Sequence, residues 1–85
     1  MADIATILDI RTTERAALQA LEASIRTALQ AHVPGEPLPV DLAATAETLL
    51  LGTGIEALRL LHGQVGAELN RTRLIVAALE AEAAA

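Results

Sequence analysis

Val33-Pro34-Gly35-Glu36-Pro37-Leu38-Pro39-Val40 holds all three prolines of the 85-residue chain. Each proline removes a backbone donor and pushes the residue before it out of the helical region, so no helix crosses this segment. The prolines predict an extended connector over residues 34–40, joining a helical arm at 3–33 to a second at 41–83. A chain of this length has room for one domain, because domains cluster at roughly 100–150 residues.

Upstream of the connector, Ile4, Ile7, Arg11, Glu14, Leu18, Leu21, Ile25, Ala28 and His32 keep the three-four spacing of one helix face. Thr12-Thr13-Glu14 reads as a helix start, since a threonine can cap the free first-turn amides and a glutamate suits the positive end of the dipole. A long helix is expected over 13–32, with residues 3–11 forming either a separate short helix or its continuation. Downstream, Asp41 is expected to cap a helix that runs to Leu49-Leu50-Leu51. Gly52-Thr53-Gly54 should break it, because each interior glycine costs about 1 kcal/mol relative to alanine. Beyond the break Ile55, Leu58, His62, Val65, Leu69, Thr72, Val76, Leu79 and Ala83 hold a heptad spacing. No stretch alternates with a period of two. The fold class is therefore all-α: a helical hairpin or three-helix unit that completes a bundle by homo-oligomerisation.

Composition leads to the same expectation of self-association. The chain is 53% hydrophobic, too apolar for intrinsic disorder, yet contains no Phe, Tyr or Trp. Its core must come from Leu, Ile, Val and Ala, without the roughly 150–250 Å² that each aromatic ring would bury. A small aliphatic core is marginal alone. The expected interaction seam is Leu18, Leu21, Ile25, Ile55, Leu58, His62, Val65, Leu69, Val76 and Leu79, and a charge placed at Leu69 is expected to dissociate the oligomer. Gly63, Gly66 and Ala67 form a run of small residues that should let another helix approach closely.

Charge excludes several classes of partner. A formal net charge of -5, with six scattered arginines and no lysine, opposes nucleic-acid binding, which needs clustered cations. The absence of cysteine rules out disulfides and thiol chemistry. No apolar run approaches the ~18 residues of a membrane span, and the N-terminus lacks the cationic stretch of a secretory signal, so a cytoplasmic location and no membrane span are expected.

Two histidines are the residues with most chemical potential. His62, followed four residues later by Gly66, resembles the pattern of histidine phosphotransfer domains, which share a helical-bundle fold. Those domains place a lysine immediately before that glycine, where this chain has Val65. Sensor-kinase dimerisation helices carry an acid directly after the histidine, where this chain has Gly63. His62 therefore reads as a structural histidine among Leu58, Leu61, Val65 and Leu69, with no acid within one turn on its C-terminal side. His32 reads as a favourable group at a helix C-terminus. Spaced thirty residues apart, the two lack the i, i+4 arrangement of helical metal ligands. Glu22 and Arg26 form an i, i+4 ion pair expected on the solvated surface. No catalytic, metal-binding or cofactor-binding residue is assigned.

Glu68-Leu69-Asn70-Arg71-Thr72-Arg73-Leu74-Ile75 is similar to helices of small chaperones and adaptors of bacterial secretion and flagellar export, in which an Asn-Arg stretch precedes an apolar run. Three functions follow as expectations. The first is a non-enzymatic interaction or assembly protein whose partner is itself, or another helical protein, such as a structural subunit of a bacterial or phage particle. The second is a chaperone or adaptor that buries a client helix, as the similarity implies, and the third is phosphotransfer through His62.

Overall fold

Residues 3–85 are described by a computed structural model in which, among those residues, the chain forms three helices and no strand. The fold is all-α. The first helix, α1 (Ile4–Ala31), is continuous, which settles the alternatives for residues 3–11 and corrects the helix start expected at Thr12-Thr13-Glu14. Asp3 is the cap instead, its carboxylate accepting from the Thr6 amide at 2.8 Å. Thr13 lies inside the helix and donates its hydroxyl to the Asp9 carbonyl, while the Arg11–Glu14 ion pair at 2.9 Å spans the expected boundary. Polar residues that suit a cap are here satisfied by neighbours one turn away.

The connector begins with a turn. Glu36 donates its amide to the Val33 carbonyl at 3.0 Å, with Pro34 next and Gly35 at φ +91°. Proline at the second position and positive φ at the third define a type II turn, which reverses the chain. Residues 36–39 follow without regular secondary structure, so the turn interrupts the extended run expected for the whole segment. Leu38 packs on the core.

The second helix, α2 (Val40–Thr48), starts directly after Pro39, so Asp41 stands in the first turn and is not the cap expected of it. Ala43 closes the first turn by donating to the Pro39 carbonyl at 2.9 Å. The helix ends in a Schellman pattern: Leu50 donates to Glu47 and Leu51 to Ala46, with Leu50 at φ +58°. Glycine normally takes this left-handed position, because a Cβ costs roughly 1–2 kcal/mol there. Leu50 is 91% exposed and gains no burial in return. Gly52 and Gly54 take positive φ as well, and the third helix, α3 (Gly54–Ala84), begins where the break was expected.

The two long helices form an antiparallel hairpin, with Ile25 against Leu58 and Leu61, and Leu18 sharing a groove with Glu68 and Ile75. The short α2 lies on one face of this hairpin at its closed end, where Leu42 joins the cluster of Ile25, Leu58, Leu61 and Val65. The molecule measures 53 × 23 × 15 Å, so most of its length is a single layer of two helices. Its radius of gyration is 15.9 Å, against about 12 Å for a compact domain of 85 residues.

Candidate functional site

The expected seam residues meet one another across the hairpin. Ile25 and Leu58 are wholly buried, Val65, Leu69 and Val76 nearly so, and Leu18, Leu21, Ile55, His62 and Leu79 are half-buried. Leu61, which the heptad reading placed beside the seam, is as buried as Leu58. Thr72, within the same heptad series, is the one buried polar side chain among the described residues. Because Leu69 lies inside the hairpin, a charge there strikes the fold of the single chain before any contact between chains.

His62 is positioned by this seam but does not face an apolar wall. Its Nε2 lies 3.1 Å from Oε1 of Glu22, and the other oxygen of Glu22 lies 3.5 Å from an Arg26 guanidinium nitrogen. The side chains are 36% exposed at His62 and 20% at Glu22. As read from the sequence, no acid stands within one turn on the C-terminal side of His62; the acid that meets the ring comes from α1. Glu22, read as a surface residue, bridges the two helices. Its place four residues after Leu18 and three before Ile25 was the signal for this, since that spacing sets it on the shoulder of the seam face. When the imidazole carries both protons the contact becomes an ion pair. The Glu22 carboxylate orients the ring and is itself paired with Arg26, and the His62–Glu22 contact ties α3 to α1.

His32 is the C-terminal cap residue of α1, as expected of a group at a helix end. With Glu36 and Glu47 it lines a pocket of about 250 Å³ under Gly54, smaller than the roughly 300–1,000 Å³ of most small-molecule sites. Among the described residues no three His, Asp or Glu side chains are grouped to hold a metal ion. No helix among them is long and apolar enough to cross a membrane.

The close helix approach expected at Gly63 and Gly66 does not occur within the chain. A Cβ built on either would meet nothing within 4 Å. What the sequence did not single out is a groove on the face that carries α2. Past the end of α2 it runs between the long helices, walled by Arg11, Glu14, Ala17 and Leu18 on α1 and by Glu68, Arg71, Thr72 and Ile75 on α3, with a volume of about 340 Å³. Toward the closed end it continues as a shallower depression of about 520 Å³ between the Ser24–Ala28 stripe of α1 and Leu42. Ala17, Ser24 and Ala28 follow each other at helical spacing, which puts both stretches on the same side of α1. Small side chains along that stripe leave the backbone of α1 open to a neighbour.

Compared with known protein families, curated proteins and solved structures, the chain matches none.

Proposed function

We propose that the protein is a non-enzymatic assembly subunit that associates with copies of itself, the two-helix layer being half of a helical bundle. The observation that carries this reading is the surface the chain leaves uncovered. Its accessible area is 5747 Å², whereas a folded monomer of 8.8 kDa is expected to expose about 4,800 Å². The molecule is only 15 Å across in its thinnest dimension, and along the part that α2 does not reach Leu18 and Ile75 stay half-buried between the helices. Ile7, Ile10, Leu60 and Leu74 are among the large apolar residues left exposed. The aliphatic core cannot compensate, because it has no aromatic residue to draw on.

A non-enzymatic role is supported by the surroundings of His62, which is engaged by Glu22 and, among the described residues, is hydrogen-bonded to no hydroxyl side chain. Size-exclusion chromatography with light scattering tests the proposal. A mass that is a multiple of 8.8 kDa at micromolar concentration is the expected result. A folded, helical monomer that persists at concentrations of about 100 μM, well above the micromolar range of weak complexes, overturns it.

A further inference from the structure

We infer that the groove on the α2 side of one chain is covered by the same groove of a second copy, two α1/α3 layers stacking about a two-fold axis into a four-helix bundle. This rests on the self-association proposed above and adds the face and the symmetry.

Area is the first argument. The chain exposes roughly 900 Å² more than a folded monomer of its mass, close to the ~800 Å² that each partner contributes to a stable interface of standard size. The occupant therefore needs to be no larger than the chain itself. Two copies, each 15 Å across in its thinnest dimension, would bring the assembly toward the proportions of an ordinary bundle.

The position of α2 fixes the direction. It stands on the groove face at the closed end, with Leu42 and Ala46 buried beneath it. If two copies stacked in parallel, α2 would meet α2 and hold the layers apart by about 20 Å, the width of two helices. Stacked antiparallel, each α2 lies beyond the open end of the other chain, and the uncovered stretches overlap. From Val65 to Ala84 that stretch is about 30 Å of α3. An arrangement in which the same patch meets itself in reverse is an isologous two-fold interface.

Charge selects between the faces. Two chains of net charge -5 repel, yet the groove walls are balanced: Arg11 pairs with Glu14 at 2.9 Å, and Arg71 lies 3.9 Å from Glu68. The opposite face carries the half-buried Glu22, His62 and Arg26 cluster, whose polar groups would lose water if a second layer covered them.

Sedimentation equilibrium on the full chain and three variants tests the inference. Ala17→Glu changes an exposed groove residue that the hairpin does not need, Ile75→Glu changes the facing wall, and Leu74→Glu places the same charge one residue outside the groove. The unmodified chain is expected to be a dimer. Ala17→Glu and Ile75→Glu should each raise its dissociation constant by about 30-fold or more, as at an interface hot spot, with Leu74→Glu within about threefold of the unmodified chain. Circular dichroism of Ala17→Glu checks that helix content is kept, which leaves the test valid if Ile75→Glu unfolds. A monomeric unmodified chain overturns the self-association reading and this inference together. An oligomer insensitive to Ala17→Glu, or one of another stoichiometry, overturns only the face and symmetry. Stronger loss in Leu74→Glu than in Ala17→Glu moves the interface to the outer side of α3.

Discussion

At the closed end of the molecule three helices share a core; at the open end two helices lie side by side with nothing across them. Ile25, Leu42, Leu58 and Leu61 are buried together where α2 crosses the hairpin, and Leu58 and Leu61 lose all exposure. At the open end Leu69, Thr72 and Val76 of α3 are buried, yet their partners on α1, from Ile4 to Leu18, are all half-buried or exposed. Both ends have similar aliphatic sequences. The difference shows that two helices alone can bury the stripe of α3, as at Val76, but that a seam residue of α1 is fully buried only at Ile25, where a third element covers it. The nine residues of α2 supply that element for one end of the hairpin only.

Truncating a side chain at each end should separate the two regions most strongly. Leu61→Ala removes a wholly buried side chain beneath α2 and is expected to cost about 2–5 kcal/mol, while Ile75→Ala, half-buried in the open groove, should cost about 1 kcal/mol in dilute solution. Urea unfolding followed by circular dichroism measures both. The comparison sharpens with concentration: if a second copy covers the groove, the cost at Ile75 rises as the protein is concentrated. Equal costs at the two positions in dilute solution would mean that α2 does not seal the closed end.

How much of this was legible follows from where the determining contacts lie in the chain. The all-helical fold, the reversal at the prolines and the break at Gly52-Thr53-Gly54 depend on local backbone chemistry, which sequence spacing reports directly. The stripe from Ile55 to Leu79 was legible from its heptad spacing as a face that becomes covered; that α1 of the same chain covers it was not. Capping was misread because Thr12, Thr13 and Asp41 are suitable cap residues, and the choice between Asp3 and Thr12 depends on whether polar groups find partners inside the helix. Glu22 and His62 are forty residues apart, and no periodicity on either helix encodes their pairing. The groove depends on α2 covering one face and leaving the rest, a consequence of the turn at Pro34-Gly35 and of helix length together.

The loop between α2 and α3, at the closed end, stores strain that a single substitution should release. Leu50 holds a left-handed conformation at the end of α2 with its side chain 91% in solvent, so it contributes the steric cost and little packing. Leu50→Gly is expected to stabilise the closed end by about 1 kcal/mol, a relief offset in part by the greater freedom of glycine in the unfolded chain. Differential scanning calorimetry would register this as a rise in the melting temperature. A fall would mean that the exposed leucine is covered in the assembled state, which would extend the interface beyond the groove to the tip of the molecule.

The smallest effect should come from the far end of the open region, where α1 begins. Accepting the Thr6 amide, and then further contact with Thr6, holds the Asp3 carboxyl below the ordinary aspartate value of 3.8. A group whose folded pKa is depressed favours the folded state in its charged form. Its contribution is complete above the unfolded value near 3.8 and is lost as pH falls below that value through the lower folded one. Asp3 is fully exposed, so solvent screens the interaction, and two helices without a covering element let the end open without disturbing the closed core. Acidification below pH 3.8 should therefore release the Thr6 amide while the Ile25 and Leu58 amides stay protected, as nuclear magnetic resonance of the individual amides would show. Asp3→Asn retains a side-chain acceptor and should hold Thr6 at all these pH values, whereas Asp3→Ala should free it throughout. A Thr6 transition centred at or above 3.8 would remove the carboxylate cap from the account of how the open end is held.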